Sequence, residues 1–153
     1  MSSTETVRVP VVLTSAGRDW IRARLERAEA RLVRVERDLA AESDTELFAE
    51  QRSLTEQVEE LTRLLRDAVA PGDVRDDPTI VEIGDRVQVE FPDGSRESFL
   101  IVHPVEAGMD EHRTSADAPI AKAVIGRRAG DRVTVAAPAG VYSATIVGRE
   151  RID

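Results

Sequence analysis

Two runs of apolar residues mirror one another about Ser43, and this symmetry limits the first part of the chain to very few folds. Upstream they fall at Ile21, Leu25, Ala28, Leu32, Val35 and Leu39, and downstream at Leu47, Leu54, Val58, Leu61 and Leu65. The spacing of threes and fours is that of a coiled-coil seam. Leu39 and Leu47 stand equally far from Ser43, and so do Leu32 and Leu54, Ala28 and Val58, Leu25 and Leu61, and Ile21 and Leu65. Two helices folded back at this point set each apolar layer against another, with Val35 alone meeting a polar partner, Gln51. The sequence therefore predicts an antiparallel hairpin with its apex at Glu42-Ser43-Asp44-Thr45-Glu46.

Local signals set the ends of the two helices. Thr14 is placed as an N-cap for a helix from about Ser15 to Ala41, about 40 Å long at 1.5 Å per residue. Asp44 or Ser43 is placed to cap a second helix from about Thr45 to Ala68, with Glu46 in its first turn, where the helix dipole favours acid. Ala70-Pro71-Gly72 stops it. The first helix carries Arg18, Arg22, Arg24, Arg27, Arg31, Arg34 and Arg37 among Glu26, Glu29, Glu36 and Asp38, a solvated face of mixed sign. Between Arg37 and Arg52 the only charges are acidic: Asp38, Glu42, Asp44, Glu46 and Glu50.

The expected division is a helical hairpin over 1–70, a linker over 71–79 and a second domain over 80–153. Residues 1–13 read as a loose lead-in whose apolar run, Val9 to Leu13, packs where arm and body meet. From Ile80 the period changes to two. Ile80–Ile83, Arg86–Phe91, Glu97–His103, Asp131–Ala137 and Val141–Arg149 read as strands, with turns at Pro92-Asp93-Gly94-Ser95 and Pro138-Ala139-Gly140. One short helix interrupts them, with Asp117 as candidate N-cap, Pro119 in its first turn, Ala121, Val124 and Ile125 facing inward, and Gly126 at its end. The fold class is α+β: an antiparallel two-helix coiled coil, then a small antiparallel β domain with one short helix.

Composition narrows the function. Aromatics at 3% suit a two-helix seam, which buries aliphatic residues along one stripe. A net charge of −8 argues against a general nucleic-acid binder, which needs clustered positive charge. Without cysteine there is no disulfide framework or thiolate metal site. The longest apolar run near the N-terminus has five residues, too few for a membrane span, so a cytoplasmic setting and no membrane partner are expected. His103 and His112 lack metal-ligand spacing, and no serine sits in a nucleophile motif. Trp20 is placed to pack the arm onto the body, and Phe48 either fills the apex or faces a partner.

The run Ser115-Ala116-Asp117-Ala118-Pro119-Ile120-Ala121-Lys122-Ala123-Val124-Ile125-Gly126, with Gly130-Asp131-Arg132-Val133-Thr134-Val135 and Pro138-Ala139-Gly140, resembles the C-terminal domain of the bacterial Gre transcript-cleavage factors. The hairpin and the opening Leu13-Thr14 with Gly17 are similar too. The resemblance implies an FKBP-like second domain that docks, as a monomer, at the rim of the secondary channel of bacterial RNA polymerase. Asp117, Ala118 and Pro119 stand at the family's contact segment. It implies a coiled coil entering the channel, where the nascent RNA 3′ end or incoming nucleotide is met only indirectly.

In the family, an aspartate and a glutamate three residues on hold a catalytic magnesium ion. Here Asp44 and Glu46 are two apart, and the flanking Asn and Tyr are absent. Glu42, Asp44 and Glu46 remain tip candidates, and Asp44 and Glu46 are metal candidates only in complex with the polymerase, whose magnesium they share. No cofactor of the protein's own is expected. Three roles stay open: completing a magnesium shell for cleavage of backtracked RNA, holding that magnesium unproductively or repelling triphosphate, and simple capping. The leading expectation is a channel binder that modulates or inhibits transcription without cleaving RNA, with no intrinsic enzymatic activity. The alternative is a transcript-cleavage elongation factor. A helical-hairpin chaperone lacks a free apolar groove here, and a prolyl isomerase needs more aromatic lining than Phe91, Phe99 and Tyr142 supply.

Overall fold

In the computed structural model, which describes residues 11–73 and 77–152, the chain divides into two compact units. One is the helical hairpin, Ser15–Ala68, and the other joins the segment up to Thr14 to everything from Val69 onward.

In the hairpin, α1 spans Ser15–Ala41 and α2 spans Thr45–Asp67. The link is only Glu42-Ser43-Asp44, so the reversal is centred on Ser43 as the mirrored pattern predicts. Ile21, Ala28 and Val35 are buried on α1, and Leu61 and Leu64 on α2, while Leu25, Leu32, Leu39, Leu47, Leu54 and Val58 are half-buried. Half-burial follows from the geometry, because a seam between only two helices leaves the long leucine side chains open at its edges. Val35 is fully buried even though its opposite position holds Gln51. Trp20 is half-buried, with the Arg24 guanidinium carbon 4.9 Å from its ring centre.

The other unit is built on β3 (Asp85–Glu90), β4 (Arg96–Val102), β5 (Arg113–Ser115), β6 (Arg132–Ala137) and β7 (Gly140–Arg151), with α3 at Pro119–Val124. The sheet order is β5-β4-β3-β7-β6. Val87, Val89, Phe99, Ile101, Val133, Val135, Ala144 and Ile146 line one face and pack with Ala121 and Val124 of α3. The period of two puts these residues on one side of the pleat. At Pro92–Ser95 the Asp93 carboxylate accepts from the Ser95 hydroxyl at 2.6 Å and its amide at 2.9 Å, and the hydroxyl bond holds the carboxyl below its usual range.

Several expectations are corrected here. The sheet is not wholly antiparallel, since β5 pairs with β4 in parallel, Leu100 opposite Arg113 and Val102 opposite Ser115. Ile80–Ile83 is not a strand; it makes one isolated bridge, Ile80 to Arg128. Val81 instead exchanges backbone bonds with Arg127 and Gly126, and the Asp85 carboxylate accepts from the Glu82 amide. Ile125 does not face inward: it lies just past α3 and is 36% exposed. The N-cap of α3 is Ala118, which makes no side-chain cap bond, rather than Asp117.

Nor does the hairpin domain begin at residue 1. Residues 1–10 of the expected lead-in lie outside the described residues, but β1 (Val11–Val12) pairs with β2 (Ala68–Val69), and the Leu13 amide donates to the Val69 carbonyl at 3.1 Å. The expected linker opens with a 3-10 turn, Pro71–Asp73, in which Pro71 is buried, and its residues 74–76 also fall outside the description.

Candidate functional site

The hairpin apex carries Glu42, Asp44 and Glu46, all exposed, as are Ser43 and Thr45 between them. Asp44 is the N-cap of α2: in extended backbone at φ −142°, its Oδ1 accepts from the Glu46 amide at 2.7 Å and the Leu47 amide at 3.3 Å. Such a cap typically contributes about 1 kcal/mol to helix stability. One oxygen of Asp44 is thus committed to the fold, while the Glu42 and Glu46 carboxylates stand in solvent with no such backbone bond among the described residues.

The acidic run is narrower than the sequence shows. Glu50 is taken by Arg31 across the hairpin, Nε to Oε1 at 2.7 Å and Nη2 to Oε2 at 3.1 Å. This forked pair holds the Glu50 carboxyl below its usual range and raises the Arg31 guanidinium. Phe48 is 50% exposed, so it does not fill the apex, and it shares a shallow α2 hollow with Gln51, Arg52 and Thr55.

An all-carboxylate donor set suits a hard cation such as magnesium. Asp44 Oδ1 is already engaged, however, and among the described residues no three side chains of ligating type come together anywhere. The apex by itself does not make a metal site; any ion there needs most of its shell from a partner.

The second candidate segment joins β5 to α3. Asp117 is exposed and its amide donates to Ser115 Oγ at 3.2 Å; the Ala118 amide donates to the Ser115 carbonyl at 2.9 Å; Pro119 is exposed at the first helical position. Proline suits that place because its fixed φ matches the helix and its missing N–H has no partner to lose. His103 is not a ligand in waiting: its Nδ1 accepts from the Val105 amide at 3.1 Å and caps the 3-10 turn Pro104–Glu106.

Glu106 gave no sign of itself in the sequence. Fully buried, it accepts from the Thr14 amide at 2.9 Å and the Thr14 hydroxyl at 2.5 Å, with Arg113 Nε at 3.8 Å. Arg113 also pairs with Asp110. A lone acid between Val105 and Ala107 has no periodic signature, and its partner Thr14 is 92 positions away.

Comparison with known proteins gives a consistent result. The C-terminal domain of the transcription elongation factors GreA/GreB matches residues 76–150. Transcription elongation factor GreA of Geobacillus kaustophilus is 36% identical over 112 residues, 72% of this chain and 71% of that protein. GreA of Oceanobacillus iheyensis is 31% identical over 157 residues, covering 95% of this chain and 99% of its own. The solved structure of GreA factor homolog 1 (Gfh1) of Thermus thermophilus aligns at 27% identity over 93% of this chain and 99% of that one, with a TM-score of 0.42. The chain belongs to the GreA/GreB family of transcription elongation factors.

Proposed function

We propose that the protein docks on bacterial RNA polymerase, at the rim of the secondary channel, through Asp117, Ala118 and Pro119, and presents the apex acids to the channel. There it modulates or inhibits transcription without cleaving RNA. The observation that carries the non-cleaving reading is the capping bond: Asp44 Oδ1 is held by the Glu46 and Leu47 amides, so the two candidate carboxylates are not a free converging pair. What remains is concentrated negative charge on a stiff support. Near the path of a nucleoside triphosphate such charge repels the incoming polyanion, and more strongly where low-dielectric walls focus the field.

The support matters energetically. A preformed hairpin enters a channel without the ordering entropy that a flexible acidic peptide loses on binding. The exposure of Glu42, Asp44 and Glu46 also favours a second reading, in which Asp44 and Glu46 help hold magnesium with the polymerase and promote cleavage of backtracked RNA. Either way the working unit is a monomer in the cytoplasm; among the described residues no helix is long and apolar enough to cross a membrane.

The test separates docking from effect. Asp117→Ala and Pro119→Ala should weaken binding to purified polymerase, by about tenfold if they are central contacts. Asp44→Ala with Glu46→Ala should change the transcriptional effect while leaving affinity within about threefold, as expected for solvated charge away from the docking contact. Equal loss of affinity in both sets would overturn this division of labour.

A further inference from the structure

α3 turns one side to the core and leaves another side exposed. Ala121 and Val124 are fully buried, whereas Pro119, Lys122 and Ile125 are exposed at successive intervals of three. That spacing keeps neighbouring side chains on one side of a helix. Lys122 is the only lysine of the chain, and among the described residues no carboxylate lies within ion-pair distance of it. Residues 118–130 hold Lys122, Arg127 and Arg128 and no acid at all, in a protein with 29 acidic and 21 basic residues. Arg128 is paired with Asp77 at 3.5 Å; Arg127 is exposed. An exposed isoleucine among cations, between Asp117 and Asp131 on a chain of net −8, is a local reversal of charge around an apolar point.

We infer that Lys122 and Ile125 extend the docking surface beyond Asp117–Pro119, and that its occupant is an acidic protein surface with an apolar spot. This rests on the polymerase-docking reading above and adds the chemistry of the surface that is met. Lys122 Nζ pairs with a partner carboxylate, and Ile125 is the apolar anchor beside it. Charge complementarity selects the occupant, since this face carries a local excess of positive charge while the chain as a whole is at a net −8. An apolar contact at the centre then slows dissociation.

The test uses the full chain and purified bacterial RNA polymerase core enzyme, with binding measured at low and high salt. Lys122→Glu should weaken binding about tenfold at low salt and less at high salt, while Lys122→Arg stays within about threefold. Ile125→Ser should weaken it about threefold to tenfold, nearly independently of salt, since apolar burial is not screened. Unchanged circular dichroism melting of these surface variants excludes unfolding as the cause. Carbodiimide, which joins an amine to a carboxylate in contact, should link Lys122 to the polymerase. If Lys122→Glu and Ile125→Ser bind like the parent while Asp117→Ala or Pro119→Ala does not, docking stands and the wider face is wrong. If all four bind like the parent, the docking reading falls too. If the parent alone binds a duplex oligonucleotide and Lys122→Glu removes that binding, the occupant is a phosphate backbone and the inference is overturned.

Discussion

Glu106→Ala should lower the unfolding free energy of the protein by about 3–5 kcal/mol, the usual cost of removing one partner from a buried charge network. The carboxylate is fully buried and satisfies both the amide and the hydroxyl of Thr14, itself buried. Its loss leaves those two donors without this acceptor and takes from Arg113 one of its two acids. Each hydrogen bond lost to a charged acceptor is worth about 1.5–3 kcal/mol, which brings the sum into the same range. Glu106→Gln keeps the shape and one acceptor oxygen, so it should recover part of the loss. Thr14→Ala removes only the hydroxyl and should cost about 1–2 kcal/mol. Urea unfolding followed by circular dichroism measures all three. A loss below about 1 kcal/mol for the alanine variant would mean that water replaces the carboxylate and that the network does not hold Thr14 in place.

Gly84→Ala should cost about 3 kcal/mol or more, combining left-handed strain of about 1–2 kcal/mol with overpacking of about 1–3 kcal/mol. Gly84 has φ +93°, and an added Cβ would lie 2.4 Å from Pro71 Cβ and 2.5 Å from its Cγ. The backbone has little room to retreat. The Gly84 amide donates to the Ile101 carbonyl at 2.7 Å, and its carbonyl accepts from the Ile152 amide at 3.1 Å. Gly94 supplies the control, with φ +87° and nothing within 4 Å of an added Cβ. Gly94→Ala should therefore show only the conformational part, about 1–2 kcal/mol. Equal losses at the two sites, by the same urea measurement, would show that Pro71 yields.

The hairpin was legible because its information is local and repeats. The seam spacing and the stop at Ala70-Pro71-Gly72 lie within a few residues of what they determine, and α1 and α2 end within one residue of where these place them. Turn chemistry at Pro92–Ser95 was legible for the same reason. What escaped depends on distant partners. β5, Arg-Thr-Ser, has three residues and no apolar alternation; it exists because β4 offers a parallel edge. Val11–Val12 becomes a strand through Ala68–Val69, at the far end of the hairpin in sequence. Ile80–Ile83 has the composition of a strand, yet the turn at Ile83-Gly84 and the Asp85 carboxylate use its backbone otherwise.

The candidate site divides in the same way. The grouping of Glu42, Asp44 and Glu46 at one apex follows from the hairpin. The capture of Glu50 by Arg31, 19 positions back, does not, because charge alone does not say which of several arginines pairs with it. Ile125 reads as inward on a continued helical wheel, but it is the C-cap residue at the end of α3 and is 36% exposed.

The most direct test is an elongation assay with purified bacterial RNA polymerase stalled on a template, in which cleavage of the nascent RNA and addition of the next nucleotide are scored in the same tubes. The acidic apex working by repulsion predicts slower nucleotide addition with intact RNA, relieved when Asp44 and Glu46 are both replaced by alanine. Shortened RNA that disappears with Asp44→Ala would contradict it.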